Sequence, residues 1–199
     1  MTHEEFTKFC SGFGGDINAQ DSNGSTPLLT SVTMNRADIL EQLIALGADV
    51  NAKSSGGYNA LAFAAMMTAI HDDKDPILPK KLDPEIIRLL VQNGSDCHEA
   101  MMIAIKTGSD DFARIALESG ADPDITDDKG RSLVMLSVMT GGGILRTLLE
   151  HGAKPDKPDS SGRTPLMIAA IDEEAEPEVM DTLLEFGAHH MSILCFLIF

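Results

Sequence analysis

Asp21-Ser-Asn-Gly-Ser-Thr-Pro-Leu28 returns as Asp159-Ser-Ser-Gly-Arg-Thr-Pro-Leu166. Between the copies a second phrase recurs: Gly14-Gly-Asp-Ile-Asn-Ala19, then Gly47-Ala-Asp-Val-Asn-Ala52, a shift of 33 residues (47 minus 14). Gly120-Ala-Asp-Pro-Asp124, Gly152-Ala-Lys-Pro-Asp156 and Gly187-Ala188 keep the beat. A fixed period of this size predicts a stack of small units, each burying its apolar face against its neighbours. Function is then expected on an extended surface rather than in a buried active site.

The chemistry inside each unit is consistent with helix pairs. Threonine before proline suits a helix start, because the hydroxyl accepts from an orphan N–H and proline is tolerated at the first helical position. Gly47, Gly94, Gly120, Gly152 and Gly187 each follow an apolar run, where glycine fits the left-handed position past a helix end. Asp-x-x-Gly supplies tight-turn chemistry for a hairpin tip. The pairs Ala64-Ala65 and Ala169-Ala170 are expected to let antiparallel helices approach closely.

The phrases in register resemble the ankyrin repeat family over nearly the whole chain. The resemblance implies an all-α repeat solenoid of antiparallel helix pairs with β-hairpin fingers. Residues 1–20 form a partial N-terminal capping repeat. Residues 21–190 hold four full repeats, 21–53, 54–97, 127–158 and 159–190, with a shortened unit at 98–126. Gly47 to Gly94 is 47 residues, so about 14 are inserted, and Pro76, Pro79 and Pro84 place them in a loop at 69–84. That loop is expected to be cut by protease near Lys80-Lys81. Gly94 to Gly120 is only 26 residues and lacks Asp-x-x-Gly, so a finger is expected to be missing there. The tail 191–199 is nearly all apolar. Three readings compete for it: a cover for the last repeat, which is favoured, a dimer or membrane contact, or a truncated chain end.

Composition narrows the function. Net charge is −16, with 31 acidic residues against 15 basic, which argues against nucleic acid as partner. It leaves a solubilising surface, the favoured reading, or a basic partner, with 172–181 as the local candidate. The three cysteines, Cys10, Cys97 and Cys195, are odd in number and far apart, and the N-terminus has no signal-peptide pattern. Both point to a reducing, cytoplasmic setting, and 191–199 is too short to cross a bilayer as a helix.

No catalytic, metal or cofactor site is expected. Cys97-His98 and His189-His190 offer too few ligands for a metal. His151 sits where it favours a helix C-terminus. Asp72-Asp73 and Glu173-Glu174 read as solvated pairs, and Gly141-Gly-Gly143 lacks the Lys-Ser/Thr of a phosphate loop. The methionines at 66–67, 101–102, 135 and 139 read as core filler.

The resemblance implies that partners meet the hairpin tips and the concave first-helix face. The matching tip positions are Ser22, Asn23 and Ser25; Ser55, Gly56 and Tyr58; Asp128, Lys129 and Arg131; and Ser160, Ser161 and Arg163. The matching helix positions are Thr33, Met34, Met66, Met67, Met139, Thr140, Ile171 and Asp172. Tyr58, Arg131 and Arg163 stand out, being expected at exposed tips and of types enriched in hot spots. The expected function is non-enzymatic binding of a protein or peptide. The alternative is an inhibitory subunit masking a basic site on an enzyme or toxin.

Overall fold

A computed structural model describes residues 15–70, 81–140, 142–172 and 177–189. Ten helices follow in pairs: α1 Pro27–Thr33, α2 Ala37–Ala45, α3 Ala60–Ile70, α4 Pro84–Gln92, α5 His98–Thr107, α6 Asp110–Glu118, α7 Leu133–Met139, α8 Leu145–Glu150, α9 Pro165–Ile171 and α10 Pro177–Glu185. The chain forms two compact units, Met1–Ile103 with Ser119–Ala121, and Ala104–Glu118 with Asp122–Phe199.

Three of the first-helix starts follow one sequence rule. The hydroxyls of Thr26, Ser132 and Thr164 accept from the N–H groups of Leu29, Met135 and Met167, three residues on. These bonds satisfy donors that the helix itself leaves orphaned. In the first unit α1 packs on α2 and α3, while α4 packs on α2 and α3. Its core is Leu28, Leu40, Leu43, Leu61, Ile86, Ile87 and Leu90, all nearly solvent-free. In the second unit α7 packs on α8 and α9, α8 on α6, and α10 on α8 and α9. Phe112, Leu133, Met135, Leu148 and Leu183 fill that core. Ala64 and Ala65 are both buried, as close packing requires, but Ala170 is exposed and only Ala169 serves the contact.

The glycines after α2, α4, α6, α8 and α10 have φ between 82° and 107°. After α2, Gly47 N–H bonds back to Ile44 and Ala48 N–H to Leu43, closing the last turn. Gly47→Val and Gly120→Val should each cost about 1–2 kcal/mol, from backbone strain alone because a Cβ there meets no neighbour. Unchanged thermal melting of both variants would show that the strain is absent.

The fingers are reduced to single turns. In each, the N–H of the first residue donates to the carbonyl of the fifth: Asp21 to Ser25, Ser54 to Tyr58, Asp127 to Arg131 and Asp159 to Arg163. The one bridge among the described residues pairs Thr126 with Ser132. Neighbouring turns touch. Ser55 N–H donates to Asn23 C=O at 3.3 Å, and Ser160 N–H to Lys129 C=O at 3.2 Å. The shortened unit has no such turn, because α5 begins at His98, four residues after Gly94.

The insertion is narrower than 69–84. α3 continues to Ile70, and Pro84 opens α4 behind an Asp83 cap that accepts from Glu85 N–H at 3.0 Å. Proline in first position is a helix starter, not a breaker. Asn35, at φ 54°, holds the returning chain: its amide donates to Lys81 C=O at 3.3 Å and accepts from Asp83 N–H at 2.8 Å. Residues 71–80, the capping segment 1–14, the run 173–176 and the tail 191–199 lie outside the described residues, and with them the expectations for Lys80, Asp72-Asp73, Glu173-Glu174, Cys10 and Cys195.

Candidate functional site

Aligned on their helix caps, the repeats place equivalent residues in rows. Ser22, Ser55, Asp128 and Ser160 share the outermost tip row, and all are exposed. Asn23, Gly56, Lys129 and Ser161 share the next, also exposed. Ser25, Tyr58, Arg131 and Arg163 share the inner tip row and are half-buried. Helical spacing then puts Thr30, Thr33 and Met34 on one face of α1, and Phe63, Met66 and Met67 on one face of α3. Leu136, Met139 and Thr140 follow for α7 with its cap, and Ile168, Ile171 and Asp172 for α9 with its cap.

Two contacts join tip to helix face. In the first unit the Tyr58 ring meets Phe63 edge-on, with centroids 6.3 Å apart. In the second, the Arg131 guanidinium reaches the Met139 sulfur at 3.8 Å. Each unit therefore carries a surface that runs from finger turn onto first helix. At its far end stand exposed apolar side chains: Met34 at 52%, Met139 at 48% and Ile171 at 52%. Met139 and Ile171 share one register position and Met34 holds the next, and side chains this open to water are not core. Met101, Met102 and Met135 are buried as expected, whereas Met66 and Met67 are half-buried and Met139 lies on the surface.

Tyr58, Arg131 and Arg163 are less free than bare fingertips. Arg131 Nε donates to Asp127 Oδ2 at 2.7 Å, and Arg163 Nε to Asp159 Oδ2 at 2.9 Å. The other carboxylate oxygen of each Asp accepts two backbone N–H groups of its turn, at 2.8–3.0 Å. Burial alone would raise the Asp159 and Asp127 carboxyls, but these N–H and guanidinium donors hold both below the usual carboxylate range. The two arginines brace their turns as well as facing outward. The signal for this was present in the repeated Asp-x-x-Gly-Arg of residues 127–131 and 159–163.

A second network, on the loops after the second helices, was not anticipated. Asn18, Asn51, Asp124 and Asp156 accept from the backbone N–H of Asp49, Asp96, Lys154 and His189, one unit further on, at 2.7–3.0 Å. The recurring Asn or Asp two residues after each Gly-x-Asp/Lys is its signature. Burial would raise Asp124, but the Lys154 N–H and ammonium bring it below its ordinary value. His189 Nδ1 also pairs with Asp156, so that histidine serves a loop contact. His151 Nδ1–H donates to Thr147 C=O at 2.7 Å, the helix-end role expected of it.

Among the described residues no side chains gather into reaction machinery. Among the described residues no three His, Cys, Asp or Glu side chains converge on a metal position. Cys97 is half-buried, and burial with the nearby Asp96 charge pushes its thiol up to about 11, the opposite of a reactive thiolate. A cleft of about 220 Å³ between Gly142, Gly143, Arg146, Glu178 and Thr182 contains no nucleophile beside a base. A wider one of about 460 Å³, between the loops 154–158 and 187–189, has the Asp156–His189 pair already engaged in holding those loops. No helix among the described residues is long and apolar enough to cross a membrane.

Comparison with known proteins agrees with this geometry. The family model described as ankyrin repeats (3 copies) matches residues 2–101, 77–159 and 101–193. Ankyrin repeat protein R664 of Acanthamoeba polyphaga mimivirus is 30% identical over 106 residues, covering 50% of this chain and 60% of that protein. Two crystal structures share the fold at 23% identity. An ankyrin repeat domain from Acinetobacter baumannii AYE superposes with a TM-score of 0.68 over 94% of both chains. The ankyrin repeat domain of Bcl-3, a member of the IkappaB family, superposes with a TM-score of 0.70 over 94% of this chain and 80% of its own. The chain belongs to the ankyrin repeat family, a solenoid of helix pairs whose general use is protein–protein interaction.

Proposed function

We propose that this protein is a non-enzymatic interaction module that holds a protein or peptide partner on its finger turns and first-helix faces. The observation that carries this reading is the continuity from tip to helix: Tyr58 on Phe63, leading to the half-buried Met66 and Met67, and Arg131 on the exposed Met139. Large apolar side chains kept in water cost solubility and become favourable only when covered. The second helices carry exposed acids, Glu41, Glu85, Asp111, Glu118, Glu150 and Asp181, around their own exposed apolar positions at Leu46 and Leu184. Three widely spaced cysteines suit a cytoplasmic, reducing setting.

The test is retention of a partner from native extract, identified by mass spectrometry. Met34→Glu, Met139→Glu and Ile171→Glu together should abolish retention while leaving the far-ultraviolet dichroism intact, since all three side chains are about half exposed. Glu41→Ala with Gln42→Ala on α2 should retain it. The reverse pattern would place the binding surface on the second helices.

A further inference from the structure

The faces of the two units differ in charge. In the first unit the register positions on both fingers and both first helices, from Ser22 to Met34 and from Ser55 to Met67, contain no Asp, Glu, Lys or Arg. The equivalent positions in the second unit contain Asp128, Lys129, Arg131, Arg163 and Asp172. Charged residues make up 23% of the chain, and the first unit has its share elsewhere: Asp38 and Glu41 on α2, Glu85 and Arg88 on α4, and Asp49 and Asp96 in the loops. Even Asp21, at the foot of the first finger, has one oxygen occupied by Asn23 and Ser25 N–H at 2.8 Å. Charge is thus segregated away from this face within a chain of net charge −16.

We infer that the first unit's face takes an uncharged, apolar segment of the partner, anchored by large aliphatic or aromatic side chains over Met34, Met66 and Met67. This rests on the binding surface proposed above and names what it accepts there. A charged partner side chain pressed onto Met34, Phe63 and Met67 would lose its water and find no counter-charge, which is costly. An apolar one loses nothing and covers thioethers that adapt to its shape. The polar edge is supplied by hydroxyls: Thr33 on the helix and Tyr58 at the rim, where the ring is fixed against Phe63. The surface therefore selects by exclusion of charge, not by attraction to it.

The test is peptide selection on the intact chain from a random library, with the winners measured by titration at 50 and 500 mM NaCl, salt levels chosen to span strong and weak screening. The expected winners carry apolar, uncharged cores, change affinity by less than about threefold between the two salt levels, and lose about tenfold or more against Met34→Glu or Met67→Glu. Thr33→Glu, at an exposed position, gives the same loss if either methionine variant fails to fold. Glu41→Ala leaves affinity unchanged. Lys- or Arg-rich winners that weaken steeply with salt yet still depend on Met34 would overturn this inference while leaving the binding surface standing. Winners indifferent to Met34, Met67 and Thr33, or a library yielding none, would overturn the inference. Winners lost on Glu41→Ala alone would remove the surface as well.

Discussion

Gly24→Ala should lose about 3 kcal/mol of stability in a urea titration and Gly130→Ala about 2 kcal/mol, whereas Gly57→Ala and Gly162→Ala should lose about 1 kcal/mol. All four glycines close an x-x-x-Gly turn at φ between 71° and 83°, so the backbone strain is common to them. Their surroundings differ. A Cβ on Gly24 would stand 2.5 Å from Ser55 N, and one on Gly130 would stand 2.7 Å from Ser160 Oγ and 3.1 Å from Ser160 N. At Gly57 and Gly162 it would meet nothing within 4 Å. The reason is architectural. Gly24 and Gly130 are each followed by a unit that carries a finger, and the next turn packs against them. Gly57 is followed by the shortened unit, which has none, and no further finger follows Gly162 among the described residues. Equal losses at all four positions would mean that adjacent fingers are not in contact.

Asp159→Ala should lose about 1–3 kcal/mol, and the variant should be less sensitive to acid than the native chain. The Asp159 side chain is 3% exposed and receives Ser161 N–H and Arg163 N–H on one oxygen and the Arg163 guanidinium on the other. Truncation leaves the Ser161 and Arg163 N–H groups without their acceptor at a part-buried site, while the guanidinium, 42% exposed, turns to water. The pH dependence follows from the direction of the shift. The folded carboxyl lies below its unfolded value, because burial, which opposes ionisation, is outweighed by these donors. Its stabilisation is complete above the unfolded value, about 3.9, and disappears as pH falls through the lower folded value. Asp127 and Asp124 shift the same way and add to the acid loss. Urea midpoints for native chain and variant between pH 6 and pH 2 should converge at the acid end. Parallel curves would show that Asp159 has no role in the turn.

These effects also show what the sequence could and could not convey. Thr26-Pro27 and Thr164-Pro165 announced their helices because a cap acts within one turn of chain, so neighbours in sequence are neighbours in space. The missing finger was legible as a shortfall of residues after Gly94. Pro84 was misjudged because proline ends one element and opens another, and only Asp83 beside it distinguishes the two. The Asn51 to Asp96 bond crosses 45 residues, a distance that no local rule spans, and it stayed hidden until the loops were brought together. Tyr58 was expected to be free, yet its ring lies against Phe63; the sequence placed it in the right row but could not say which way it leaned. Arg131 and Arg163 were in plain view as Asp-x-x-Gly-Arg and were assigned only to the surface, although their guanidinium groups also brace the turns.

Asn35 grips Lys81 and Asp83 directly, so the foot of α4 is fixed by a side chain of the preceding repeat and not by whatever connects it to α3. Asn35 thus ties the first repeat directly to the start of the next second helix, across 46 and 48 residues of sequence.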